Sequence, residues 1–197
     1  MEADPVTGAI NYTKLIEGFD EGKKVTQNGE FAPKHFFRAA MVGPGGCGKT
    51  SALCSMILND DPSIHVFYEK IYIFAKDIRE PAYEFLRKLF QETEDIIKEQ
   101  TRKPPDWKLF VMSDNLADVP QVKDLDDKVC NLMIFDDWAR DSEKEQNIIE
   151  QHYKMGRKHK CSYFYLSQSY YDVPSFIRKQ LTHMFVWRLR NKTDINN

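Results

Sequence analysis

Apolar residues along this chain fall into short continuous runs, and between the runs they recur every three or four positions. Phe36 to Val42 is apolar apart from Arg38 and ends on a glycine cluster, the pattern of a buried strand. Leu53, Met56 and Ile57 then follow at helical spacing, and Ile71-Tyr72-Ile73-Phe74 predicts a second strand. Over residues 81–98, Phe85, Leu86, Leu89, Phe90, Ile96 and Ile97 mark one helical stripe, which Thr101 to Pro105 ends. Leu109 to Met112 reads as a short strand, residues 114–128 as polar loop, and Asn131 to Phe135 as another buried strand.

Ser142 with Glu145 three residues later is a capping-box signature, opening a helix predicted to run to about Arg157. Ser162 to Leu166 is a further strand and Phe176 to Leu181 a short helix. From Met184 to Arg190 the pattern alternates, with Phe185, Trp187 and Leu189 on one face and Arg188 and Arg190 on the other. Strands alternating with helices predict an α/β domain around a mainly parallel sheet, covering residues 35–197. Residues 1–34 are polar except for an amphipathic piece around Tyr12, Leu15, Ile16 and Phe19, and read as an N-terminal arm.

Composition narrows the class. The 197 residues suit one globular domain, and 42% hydrophobic residues can fill its core. No apolar run is long enough to span a bilayer, and no secretory signal pattern opens the chain, so stable membrane insertion is not expected. The four cysteines lack CxxC spacing; Cys130 and Cys161 edge apolar runs and read as reduced core residues. The five histidines show no paired ligand spacing, so a metal held by side chains alone is not expected.

The net charge of −2 hides an asymmetry: residues 1–150 hold 19 basic and 28 acidic side chains, and residues 151–197 hold 9 basic and 2 acidic. The acidic part and the basic end are therefore read separately.

Gly43-Pro44-Gly45-Gly46-Cys47-Gly48-Lys49-Thr50 matches G-x-x-x-x-G-K-[ST] in full, between a predicted strand and a predicted helix. Such a loop wraps a triphosphate in backbone N–H groups at a helix N-terminus. Lys49 would supply charge to the β- and γ-phosphates, Thr50 would ligate Mg²⁺, and Ser51 completes the set of residues expected to hold ATP.

Leu132-Met133-Ile134-Phe135-Asp136-Asp137 is an apolar strand ending in two carboxylates, the Walker-B pattern. At the C-terminal end of a parallel strand these face the ligand edge. Asp136 would hold Mg²⁺ through water, and Asp137 would polarise the attacking water. Many ATPases of this layout carry Glu at the second position, so the shorter Asp137 must approach the water more closely. Ser167-Gln168-Ser169 ends the next strand. If that strand inserts between the loop strand and the Asp136 strand, Gln168 points at the γ-phosphate and can bind both a phosphate oxygen and the water.

Lys154, Arg157, Lys158, His159 and Lys160 cluster after one helix, followed by Arg178, Lys179, Arg188, Arg190 and Lys192. Three readings stay open: cations complementing a helix dipole, an arginine finger for a neighbouring subunit, and a surface tracking DNA phosphates.

Four elements now stand in order: GPGGCGKT, LMIFDD, the segment Met155 to Lys160, and YLSQSYYDVPSFIRKQL from Tyr165 to Leu181. This order resembles the viral DNA-packaging ATPases of the FtsK/HerA superfamily, in the compact form carried by poxviruses, other large eukaryotic DNA viruses, virophages and Polinton-type elements. The resemblance covers roughly residues 36–190. It implies a P-loop NTPase of the additional-strand (ASCE, RecA-like) type, with Lys49 and Thr50 as the Walker-A residues, Asp136 and Asp137 as the Walker-B pair, and Gln168 as sensor. It implies a homo-oligomeric ring (pentamer or hexamer) driving double-stranded DNA into a preformed capsid, with capsid or portal-vertex proteins as partners. Host-cell cytoplasm, at the virus factory, and the virion are the implied locations. Arg157 is the first choice for a trans-acting finger and Arg178 the second.

Two competitors are weighed beside it. A small nucleoside or nucleotide kinase also pairs such a loop with a buried sheet, but needs an Arg-rich lid and an acceptor pocket. A nucleotide-binding switch without turnover would not need Lys49, Thr50 and Asp136 together.

Overall fold

The computed structural model describes residues 30–34, 36–58, 64–101, 104, 106–139 and 142–188. Six strands form: β1 (Arg38–Val42), β2 (Lys70–Ala75), β3 (Phe110–Ser113), β4 (Asn131–Asp136), β5 (Cys161–Ser167) and β6 (His183–Val186). They lie in the order β3-β2-β4-β5-β1-β6, and every pair is parallel. The helices are α1 (Lys49–Leu58), α2 (Pro81–Thr101), α3 (Glu143–Met155) and α4 (Ser175–Gln180). Among the described residues, no helix is long and apolar enough to cross a membrane.

Parallel sheets covered on both faces need strands that are apolar at every position. β4 shows how the alternation is used. Leu132 and Ile134 join one core with α1 and α2, while Met133 and Phe135 join the other with α3 and α4. By the same alternation Asp136 leaves the strand on the α1/α2 side.

The stripe on α2 differs from the expected one. Phe85 is 53% exposed, whereas Tyr83, Leu86, Phe90, Thr93, Glu94 and Ile97 are buried. That set follows the helical period along one face, and Phe85 lies off it. Glu94 accepts from the Phe110 N–H at 2.9 Å, so a carboxylate on the buried stripe anchors the start of β3.

Residues 114–128 are more than polar loop. They contain two 3-10 turns, Leu116–Asp118 and Val122–Asp124. Leu116, Val119, Val122 and Leu125 are buried against the second core. Their spacing of three matches the three residues per turn of a 3-10 helix.

The capping box opens α3 as expected, with Glu145 N–H donating to Ser142 Oγ and Ser142 N–H donating back to the Glu145 carboxylate. The helix ends at Met155, two residues short of Arg157, and passes into a 3-10 turn over Gly156–His159. Lys160, at φ 50°, then redirects the chain into β5. All four cysteines are free, and Cys130 and Cys161 are buried.

On β6, Phe185 and the following Trp187 pack on the first core while Met184 faces outward, as the alternation predicts. Leu189, Arg190, Lys192 and nearly all of the N-terminal arm lie outside the described residues.

Candidate functional site

The carboxyl ends of β1, β2, β4 and β5 share one edge of the sheet. Val42 lies opposite Ser167, Leu166 opposite Asp136, and Asp136 opposite Ala75. Above that edge opens a cleft of about 540 Å³. Gly45, Gly46, Gly48, Lys49, Thr50 and Ser51 form one wall; Lys76, Asp77, Glu80, Pro81 and Ala82 face them; Asp136, Asp137, Ser167 and Gln168 lie between.

The loop from β1 to α1 folds as its glycines allow. Gly46 and Gly48 take φ 72° and 94°, the left-handed region that residues with a Cβ rarely adopt. Gly43, Pro44 and Cys47 build the loop's stem, with the Cys47 N–H donating to the Pro44 carbonyl at 3.3 Å. Lys49 Nζ donates to the Gly43 and Pro44 carbonyls at 2.6 and 3.2 Å. The ammonium thus folds back across the loop it belongs to.

β5 sits between β1 and β4, which brings Gln168 to the second carboxylate. Gln168 Nε2 donates to Asp137 Oδ2 at 3.3 Å. Asp137 itself has φ 61°, unusual for a non-glycine residue, and its N–H donates to the Leu166 carbonyl at 3.2 Å. The left-handed turn breaks the strand alternation, so Asp136 and Asp137 do not point to opposite faces. Both line the cleft. Asp137 is exposed there, and Asp136 is half-buried.

Asp136 has a partner that the sequence pattern did not suggest. Tyr83, fully buried on α2, donates its hydroxyl to Asp136 Oδ2 at 2.5 Å. Burial pushes the Asp136 carboxyl up to about 6; Glu80 and Asp137 add to that shift, while the Tyr83 hydrogen bond and Lys49 oppose it. Lys76 and Glu80 are further charged groups on the cleft that the motifs did not name.

Thr50 and Asp136 offer hard oxygen donors, the kind Mg²⁺ takes. No group of three or more His, Cys, Asp or Glu side chains among the described residues could hold a metal alone. Phosphate and water oxygens would have to complete the shell, which fits an ion that arrives with a nucleotide.

The structure does not bring Arg157 or Arg178 into the cleft. Arg157 is exposed in the 3-10 turn before β5, at the opposite edge of the sheet. Arg178, on α4, lies over the Tyr170 ring at 4.9 Å and near Tyr171 at 5.9 Å.

Against known families, the poxvirus A32 protein model matches residues 28–197. The chain belongs to that family. The A32 match takes in the phosphate loop, both carboxylates, Gln168 and the basic end. In fold, this A32-family chain is similar to the cytoplasmic domain of EssC, with TM-score 0.56 and 11% identity over 81% of this chain and 32% of that one. It thus spans about a third of that relative. It is also similar to the genome packaging NTPase B204 from Sulfolobus turreted icosahedral virus 2 solved with ATP-gammaS: TM-score 0.53, 12% identity, covering 81% of this chain and 78% of that one. The B204 structure with AMPPCP gives TM-score 0.52 and 13% identity over the same shares. No individual curated protein matches the sequence.

Proposed function

We propose that this chain is the ATP-hydrolysing subunit of a motor that moves double-stranded DNA into a viral capsid. The observation that carries the reading is the insertion of β5 between β1 and β4, which sets Gln168 against Asp137 above the phosphate loop. Membership of the A32 family, and the fold shared with a viral genome packaging NTPase, support the same direction.

ATP would lie on the loop at the α1 N-terminus, where backbone N–H groups and the helix dipole favour phosphate. Lys49 would exchange its two carbonyl partners for phosphate oxygens. Thr50 and Asp136 would hold Mg²⁺, which when bound neutralises charge on the phosphates. Asp137 takes the proton of the attacking water, and Gln168, already bound to Asp137, orients that water and senses the γ-phosphate.

Arg157 is exposed at the edge remote from its own cleft, so it can serve only a neighbour's. That suits a finger acting between subunits of a ring, pentameric or hexameric. Arg178 is the second candidate; the tyrosines beneath it belong to the segment that starts at Gln168, so a shift of that segment would move it. For DNA, exposed Arg157, Lys158, Lys179 and Arg188 are available phosphate partners. Lys154 is paired with Glu150. Capsid or portal-vertex proteins would anchor such a ring in the host-cell cytoplasm, at the virus factory, and in the virion.

A kinase would need arginines closing over its acceptor, yet no arginine lines the cleft among the described residues. Thin-layer separation of products from γ-labelled ATP tests the reading. Label released as phosphate supports it; label moved onto a nucleoside or nucleotide contradicts it.

A further inference from the structure

Asp136 stands at the last position of β4, where the strand leaves the two cores and the chain turns into a left-handed residue. A carboxylate there is free to rotate unless something holds it. Among the described residues one side chain does. Tyr83 sits two residues inside α2, packed in the core between α2 and the sheet and 0% exposed. Its hydroxyl reaches Asp136 Oδ2 at 2.5 Å.

The direction of this bond is fixed by chemistry. An ionised carboxylate only accepts, so the phenol donates. A hydrogen bond to a charged acceptor is short and strong, and in a site shielded from water it fixes orientation as well as energy. With Oδ2 occupied, the remaining oxygen is the one left for the cleft. The ring itself cannot drift, because α2 is anchored at the Tyr83 turn by Leu86 and Phe90 on the same buried stripe.

We infer that Tyr83 is a positioning residue for the metal site: its hydroxyl holds the Asp136 carboxylate in the rotamer that receives the divalent cation of the nucleotide complex. Tyr83 does not line the cleft and acts only through Asp136. Partners of this kind typically change metal affinity or activity by about 10- to 100-fold when removed. This inference rests on the reading of Asp136 as the metal carboxylate, and its test separates the two.

The test is a Mn²⁺ titration followed by electron paramagnetic resonance, with a non-hydrolysable ATP analogue present, on the wild type, Tyr83→Phe, Asp136→Asn and the double variant. Tyr83→Phe keeps the packed ring and deletes only the donor. Metal-free binding of a fluorescent ATP analogue is expected to stay at the wild-type value, with at most a modest fall in melting temperature from the lost hydrogen bond. Mn²⁺ affinity is expected to fall about tenfold, and kcat to fall with the KM for ATP little changed. In the Asp136→Asn background the same change is expected to do nothing further, because its route is gone. Unchanged Mn²⁺ affinity in Tyr83→Phe, beside a clear loss in Asp136→Asn, overturns the role of Tyr83 and leaves the metal reading standing. Unchanged affinity in Asp136→Asn overturns both. A Tyr83→Phe protein that loses metal-free nucleotide binding to the same extent also overturns it, since Tyr83 then supports the whole pocket.

Discussion

Gln168 Nε2 donates to Asp137 Oδ2 at 3.3 Å, tying the residue that follows β5 to the residue that follows β4. The two strands are neighbours only because β5 is inserted between β1 and β4. On the proposed reading Gln168 and Asp137 are the sensor and the base, and ATP binding would have to rearrange their contact.

Breaking either half of the pair is expected to affect turnover more than binding. Asp137→Asn keeps an oxygen for Gln168 but removes the proposed base, and Gln168→Ala removes the amide. Each is expected to lower kcat by roughly 100-fold, with the affinity for an ATP analogue held within a few-fold. Steady-state hydrolysis beside equilibrium binding checks both.

A finger that acts between subunits predicts complementation. Lys49→Ala removes the cation of the phosphate loop, and Arg157→Ala leaves the loop intact but removes the finger. Each alone is expected to be nearly inactive, since such an arginine contributes on the order of 1,000-fold or more. Mixed, they are expected to recover measurable hydrolysis, because some interfaces pair an intact loop with an intact arginine. If Arg178→Ala complements Lys49→Ala and Arg157→Ala does not, the finger is Arg178.

Gly156, where α3 hands over to the 3-10 turn, has no room for a side chain. A Cβ there would lie 1.7 Å from Tyr163 Oη and 2.4 Å from its Cζ. Gly156→Ala is expected to cost about 2 kcal/mol through overpacking, lowering Tm by roughly 5 °C. Adding Tyr163→Phe removes the first atom the methyl meets and is expected to recover part of the loss. Thermal unfolding followed by circular dichroism is the measurement.

His152 gives the fold a pH dependence. It is buried, its Nε2 lies 2.9 Å from the Pro120 carbonyl, and its Nδ1 lies 3.3 Å from Tyr163 Oη. Burial lowers its pKa to about 4 from the ordinary 6.5. The unfolded chain therefore binds the proton first on acidification. The neutral ring's contribution is complete above about pH 6.5 and is lost as pH falls toward 4. The shift corresponds to roughly 3 kcal/mol. His152→Gln, which cannot titrate, is expected to flatten that part of the stability profile in urea titrations run from pH 7 to 4.

Much of this was legible in the sequence because buried parallel strands leave a continuous apolar signature. The runs ending at Val42, Phe135 and Leu166 announced three central strands, and the glycines and carboxylates at their ends marked the ligand edge. Elsewhere the signals were quieter. Residues 114–128 read as loop because charged residues outnumber apolar ones, although Leu116, Val119, Val122 and Leu125 keep a strict spacing of three. Phe85 looked like part of the α2 stripe by hydrophobicity, yet it lies off the helix's buried face, while Tyr83 lies on it and brings its hydroxyl to a carboxylate. That contact joins residues 53 apart in sequence, and no local pattern carries it. Asp137's left-handed turn was equally silent, since nothing in the local sequence marks a non-glycine residue for a positive φ.

The central claim, a DNA-moving ATPase that works as an assembly, is tested most directly by the hydrolysis rate per subunit, with and without double-stranded DNA, across protein concentration and salt. The account predicts that the rate per subunit rises with protein concentration, is stimulated by DNA, and loses that stimulation as salt screens the phosphate contacts. A rate independent of concentration, unmoved by DNA and unaffected by Arg157→Ala and Arg178→Ala would contradict it.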